Sequence, residues 1–546
     1  MGNGKSKNVE VGKAETGKLK RVDVSPVANY QANIAESHET FAVTEQWSPQ
    51  PRPSLDKRLS LDLLSSTQLP EQSKQGKVFH PDLLNRNLVQ MKYAVRGELA
   101  AKAKMLEEQG KTVTFTNIGN PHALGQQPIT FYRQVLCLLT APFLLDEPTI
   151  EQLFPSDVIA RARSYLKDIS GGVGAYSDSR GLQRFRQDVA HFIQKRDGFP
   201  SDPNTIFLTD GASMAVRLCL NALIRNKQDG LLCPIPQYPL YSAGVELYGG
   251  TLIGYELDES NGWAMNIDNL KSQLMAEKQR GVLCRALVFI NPGNPTGQCL
   301  TVENLREVIK FAYNEQLVIM ADEVYQENIY ASDAKFVSCK KVLMEMGAPY
   351  SQSVELLSFH TISKGLIGEC GLRGGYMEMT NIHPGAVDMI LKLASINLCP
   401  NVLGQAATAL MCNPPKPEEP SYALYTKERH GIYDSLKRRA EMLVNAFNEL
   451  DGISCNITKG ALYAFPNIDL PPKALEAAAK AGRIGDEFYC LALLDATGIV
   501  TVPGSGFGQV AGTYHFRTTI LPNEAQMPDI IAKFKGFHEK FMTQYA

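Results

Sequence analysis

Short apolar runs and amphipathic stretches alternate along the chain from Tyr176 onward. TIFLTD, at 205–210, reads as a strand, and the ASMAVRLCLNALI that follows is spaced as a helix. ALVFINPGNPTG opens as a strand and gives way to a helix predicted over 302–315, with Val302, Leu305, Ile309 and Ala312 on one face. LVIMADEVY, VELLSF and GGYMEMT predict three further strands. Such an order implies an α/β fold, with mostly parallel strands and helices on both faces of the sheet. Ligands of such sheets bind at the carboxyl ends of the strands.

The proline cluster NPPKPEEP, at 413–420, cannot continue a helix and predicts a change of domain. Beyond it a long helix through KRRAEMLVNAFNEL, strands at GISCNIT, ALYAFPNI and TYHFRTTIL, and a terminal helix suit a smaller α+β domain. The expected organisation is a polar leader at 1–78, an N-terminal arm and part of the small domain at 79–165, a large domain at 166–411, and the rest of the small domain at 412–546. The leader is rich in Ser, Lys, Glu, Gln and Pro without sustained periodicity, which reads as disorder.

Composition narrows the function. With 55 basic and 57 acidic residues among 546, the net charge of −2 gives no reason to expect nucleic acid as a partner. The cysteines contain no C-x-x-C pair and the histidines no H-E-x-x-H, so neither a disulfide framework nor a metal site is expected. Reduced thiols fit a cytoplasmic setting. The longest apolar stretch, Val135 to Leu145, contains a proline and is too short to span a bilayer, so it reads as core. MGNGKSK fits the M-G-x-x-x-[ST] pattern and makes Gly2 a candidate for N-myristoylation. One acyl chain binds a membrane only weakly, with an association constant on the order of 10⁴ M⁻¹. Stable association would need Lys5, Lys7, Lys13, Lys18, Lys20 and Arg21 as a second signal.

Four stretches carry candidate chemistry. In TDGASMAV a strand ends at a helix start, where Ala212 and Ser213 offer free N–H groups and a hydroxyl to a phosphate. FINPGNPTG forms a turn that places the Asn294 amide at the sheet edge. LVIMADEVYQE ends an apolar strand in Asp322, followed by Tyr325; a carboxylate there would keep a pyridine nitrogen protonated. SFHTISKG presents Lys364 beside Ser363, and RGGY adds Arg373, whose fork suits phosphate. Singly, each reads as a cap, a turn or a surface cation. Together, in chain order at successive strand ends, they describe a site for pyridoxal phosphate.

The sequence N-P-G-N-P-T-G, D-E-V-Y, S-K-G and R-G-G resembles the aspartate aminotransferase superfamily of fold type I pyridoxal-phosphate enzymes. Within it, SKGLIGECGLRGGYMEMTN, LCPNVLGQ, CNPPKPEEPSY and PGSGFGQVAGTYHFRTTILP are similar to the alanine aminotransferases. The resemblance runs from about residue 80 to the C-terminus. It implies a large domain on a mostly parallel seven-stranded sheet, a homodimer with shared sites, and transfer of the amino group of alanine to 2-oxoglutarate. Glutamate–glyoxylate transamination is the alternative. Carried over by position, it makes Lys364 the covalent lysine, Asp322 the partner of the pyridine nitrogen, and Tyr238 of PIPQYPLYSA the ring-stacking residue. Tyr325 and Asn294 would hydrogen-bond the ring oxygen; Ala212, Ser213, Ser363 and Arg373 would hold the phosphate, joined by Tyr176 from the neighbouring subunit. Arg517 would clamp the substrate α-carboxylate, with the backbone of Gly119 against it. Thr361 stands where many relatives have serine.

Overall fold

The computed structural model describes residues 79–93 and 98–546. Gly2 and the basic positions from Lys5 to Arg21 lie outside them.

The architecture centres on an eight-stranded sheet. Its strands are β1 (Ile206–Thr209), β2 (Asp229–Ile235), β3 (Thr251–Asp258), β4 (Ala264–Met265), β5 (Leu283–Ile290), β6 (Val318–Asp322), β7 (Leu356–Thr361) and β8 (Gly375–Thr380), in the order β1-β8-β7-β6-β5-β2-β3-β4. Strands β7, β6, β5, β2 and β3 are parallel, while β8 runs antiparallel to both neighbours. The expected seven strands are therefore joined by an eighth, β4. After Asp258 a short 3-10 turn leads through Gly262 and Trp263, both at positive φ, and returns the chain antiparallel to β3. Two residues are too short a run to show alternation, which is why the pattern did not predict it.

Helix α1 (Gln183–Asp197) precedes β1, α2 (Ala212–Leu223) follows it, α3 (Pro239–Leu247) follows β2, α4 (Val302–Glu315) follows β5, and α5 (Cys339–Glu345) lies between β6 and β7. The start of α4 is fixed by Thr301, whose side chain accepts from Asn304 N, and its buried face includes Leu305, Ile309 and Ala312, as the spacing predicts. Strand alternation sends successive residues to opposite cores. Leu231, Val288, Met320 and Phe359 pack with α2 and α3; Leu232, Phe289, Ile319 and Leu356 pack with α4 and α5.

The 79–165 stretch divides. Thr114–Phe115 pairs with Ile499–Val500, whereas the helices Thr130–Thr140 and Ser156–Asp168 share a core with Ile206, Leu208 and Tyr376 of the large sheet. The apolar stretch from Val135 lies largely in the first of these helices and is mostly buried there. At the proline cluster the chain leaves a helix at Cys412 and enters another spanning Tyr422–Asn448. A three-stranded antiparallel sheet follows, β9 (Tyr463–Ala464), β10 (Val502–Pro503) and β11 (Phe516–Thr519), with β11 central. No described helix is long and apolar enough to cross a membrane.

Alternation has one polar consequence. Asp322 closes β6 on the α2 side, so Glu323 turns to the opposite side, where it is buried and its Oε1 accepts from Cys339 N at 2.7 Å. Near it lies a buried group comprising Arg196 and Asp197 of α1, Ser338, Lys340 and Glu378. Burial pushes the Glu323 carboxyl from 4.5 up to about 8, against the attraction of Arg196. A carboxyl whose folded-state pKa is raised stabilises the fold fully below its unfolded value and loses that contribution as pH rises through about 8. Glu323→Gln keeps the acceptor oxygen and removes the titration. The melting temperature of the variant minus that of the wild type should therefore climb between about pH 5 and about pH 8. A flat difference across that window in thermal unfolding contradicts the assignment.

Candidate active site

A cavity of about 190 Å³ lies at the carboxyl ends of β1, β5, β6 and β7 and is closed from above by β9 and β11. The cofactor- and substrate-binding positions singled out in the sequence line it except Tyr176, which is 78% exposed and takes no part in the cavity of its own chain. Among the described residues lining it, Lys364, Arg373 and Arg517 are cationic and Asp322 alone is acidic. An excess of positive charge suits a phosphate and a carboxylate together.

One end is an anion cradle. Helix α2 begins at Ala212 after Gly211, which has no side chain to cap it, so Ser213 is not the capping residue and the first N–H groups face the cavity. Arg373 lies across this helix end, with Nη2 donating to Asp210 O at 2.9 Å and Nη1 to Cys370 O at 2.9 Å. A β-carbon on Gly211, where φ is +80°, would lie 2.6 Å from Arg373 Nη2, so only glycine lets the guanidinium approach. Arg373 Nη1 also reaches Ser363 Oγ at 3.5 Å. The threonine at 361 holds this turn: its Oγ1 donates to Gly374 O and accepts from Ser363 N at 3.1 Å.

The middle of the cavity is built around Asp322. Its Oδ2 accepts from the Tyr241 hydroxyl at 2.8 Å, while Oδ1 is buried without a partner. Burial raises this carboxyl to about 6, opposed by the Tyr241 hydrogen bond, then by the backbone N–H of Val324 and by Lys364. An unpaired buried acceptor is costly, and a cationic N–H donor in the cavity would both satisfy it and restore its charge. Lys364 reaches in from the turn after β7, its Nζ donating to Gly119 O at 2.8 Å. Tyr238, the residue that caps α3, walls the cavity, and its hydroxyl lies 3.0 Å from that of Tyr93.

The third region is Arg517, on β11. It is 2% exposed, stacked with its Cζ 4.3 Å from the Tyr463 ring centroid and 4.7 Å from that of Phe507. Nη1 donates to Asn294 Oδ1 at 3.0 Å and Nη2 to Asn117 O, and Nε has no partner. No carboxylate among the described residues pairs with it. A guanidinium only donates, so Asn294 must turn its oxygen to Arg517, which leaves its Nδ2 for a second acceptor in the cavity.

Three tyrosines complete the site without having been singled out in the sequence. Tyr241 supports Asp322, Tyr93 supports Tyr238, and Tyr463 joins Arg517 to Tyr325, hydroxyl to hydroxyl at 3.1 Å. The spacing PLY places Tyr241 one turn into α3, a position from which it can face the same side as Tyr238; Tyr463 carries no such local signal.

This arrangement gives an amine beside an anion cradle, a buried acceptor without a donor, and a buried guanidinium that no carboxylate among the described residues meets. Similarity to known proteins gives the family. The profile of the family described as Aminotransferase class I and II matches residues 147–534. Glutamate–glyoxylate aminotransferase 1 of Arabidopsis thaliana is 57% identical over 469 residues, 86% of this chain and 98% of that protein. Alanine aminotransferase 2 of Panicum miliaceum is 51% identical over 473 residues, 85% of this chain and 98% of that protein. Among solved structures, an aminotransferase from Escherichia coli superposes with a TM-score of 0.67 at 25% identity, covering 84% of this chain and 98% of that one. With its lysine, aspartate and two arginines gathered at the sheet edge, the chain belongs to the class I and II aminotransferases.

Proposed function

We propose that this enzyme moves the amino group of L-alanine to 2-oxoglutarate, giving pyruvate and L-glutamate, with pyridoxal phosphate as its cofactor. The observation that carries the reading is Arg517, a buried guanidinium without a counter-ion among the described residues, in one cavity with the Lys364 amine. The cofactor fits the residues present. Ala212, Ser213, Ser363 and Arg373 would take its phosphate, the orphaned Asp322 Oδ1 its ring nitrogen, Asn294 Nδ2 and Tyr325 its ring oxygen, Tyr238 its face, and Lys364 its aldehyde. When bound, it supplies an electron-withdrawing ring that takes up the electron pair left by a broken α-C–H bond.

The chain's own residues do the rest. Arg517 receives the α-carboxylate and thereby orients the α-C–H bond toward Lys364. Lys364 Nζ, held at Gly119 O, takes the α-proton and returns it later in the half-reaction. Asp322, kept ionised by the cation it meets, keeps that cation protonated throughout. Burial of Asp322 and Arg517 excludes water that would weaken both interactions.

Alanine and 2-oxoglutarate are the reading favoured by relatives named alanine aminotransferases across most of the chain. Glutamate and glyoxylate are a second reading, favoured by the relative at 57% identity. We further propose a cytoplasmic homodimer in which the exposed Tyr176 reaches the phosphate end of the partner's cavity; its cysteines are all unpaired, as in a reducing compartment.

The visible spectrum of the holoenzyme tests the substrates. Alanine should bleach the cofactor band and 2-oxoglutarate should restore it. A band that alanine leaves untouched, and that glutamate bleaches and glyoxylate restores, establishes the second reading instead, and a band untouched by either donor contradicts both. Lys364→Ala should lose turnover by at least ~1,000-fold, since nucleophile and base vanish together; near-normal single-turnover rates would contradict this role. Arg517→Ala should lower kcat/KM for alanine on the order of 100-fold, about 3 kcal/mol, as expected for one partner of a buried charge pair. An unchanged value in steady-state kinetics removes Arg517 from the carboxylate site.

A further inference from the structure

Lys364 must shed a proton before its nitrogen can act, and its buried surroundings raise the question of where that proton goes. Tyr463 stands beside it. Pairing of Tyr463 with Thr519, two residues from Arg517, turns its ring under the Arg517 guanidinium. A β-carbon placed on Gly119 would lie 2.5 Å from Tyr463 Oη and 2.9 Å from Lys364 Nζ, so the phenol and the ammonium converge on one point beside the Gly119 backbone. The same hydroxyl lies 3.1 Å from that of Tyr325, and Tyr463 is 2% exposed. The titratable and charged groups around it are Lys364, Arg517, Tyr325 and Tyr238, with Asp322 beyond Tyr325.

We propose that Tyr463 is a further catalytic residue: its phenol oxygen takes the proton from Lys364 Nζ, and the arrival of a carboxylate at Arg517 drives the transfer. One Lys364 N–H bond breaks, its electron pair stays on nitrogen, and an O–H bond forms on Tyr463; no other reactant is required. Burial alone would push the Tyr463 phenol up, but the cations of Lys364 and Arg517 outweigh it and bring it below the ordinary value of 10.0. Tyr325 goes the other way: burial, and then Tyr463 beside it, hold it well above that value, so Tyr325 keeps its proton and donates to the Tyr463 oxygen. A carboxylate on Arg517 cancels one of the two cations. The Tyr463 oxygen becomes a better proton acceptor when the substrate is in place and Lys364 has to be neutral. The relay rests on the reading of Arg517 as the carboxylate site.

The test uses holoenzyme in its pyridoxamine-phosphate form, in which the Lys364 amine is free, carrying tyrosine labelled with carbon-13 at Cζ and titrated with propionate, a carboxylate with neither an amino nor an oxo group to react. One resonance, absent from Tyr463→Phe, should start near the tyrosinate position and move to the tyrosine position as propionate saturates. Tyr463→Phe should keep its cofactor and its affinity for propionate while kcat falls ~10- to 100-fold. Propionate that competes with alanine while no tyrosine resonance moves overturns the relay, as does a Tyr463→Phe enzyme with wild-type kcat. Propionate that fails to compete with alanine in the wild type overturns the reading of Arg517 itself.

Discussion

A guanidinium buried between two aromatic rings, with no carboxylate among the described residues to meet it, is the constraint around which this site is arranged. Removing a cation from water costs several kcal/mol unless partners replace the lost hydration. Here the replacement is partial: an asparagine oxygen, a backbone carbonyl and two π faces, with Nε left unpaired. The fold tolerates such a centre because β11 is the middle strand of its sheet, paired on both sides, so Arg517 cannot swing out to solvent. In the proposed function, this charge stands in readiness for an anion that arrives with the substrate.

Asp322 presents the same logic with the opposite sign. Its position at the end of β6 is set by strand alternation, which gives Asp322 to the cavity and Glu323 to the buried polar group behind the sheet. One oxygen is satisfied by Tyr241 and the other is not. Two incompletely partnered charges of opposite sign share one cavity with Lys364, and in the proposed function they would receive a cationic ring nitrogen and a substrate carboxylate.

Much of this was legible in the sequence because each element ends in its own chemistry. TDGAS, NPGNPTG, ADEVY, SKG and RGG are local motifs, and their alternation with helices places them on one sheet edge. The helix over 302–315 appears with the boundaries its spacing predicts. What was not legible depends on contacts between distant segments. Tyr463 looks like any residue of the ALYAF strand, and only the register of β9 on β11 brings it beneath Arg517. Arg196 and Asp197 belong to no such local motif, yet they are largely buried in an ion pair near Glu323. Tyr176, carried over as a phosphate contact, lies exposed and outside the cavity of its own chain.

The most direct measurement of the central claim is exchange of the α-hydrogen of L-alanine in deuterated water, with holoenzyme and no oxo acid present. It isolates proton abstraction by Lys364 from substrate turnover. Deuterium should enter the α-position of alanine with the wild type and fall to the uncatalysed rate with Lys364→Ala. Exchange that persists undiminished in Lys364→Ala, or none with the wild-type holoenzyme, would contradict the account.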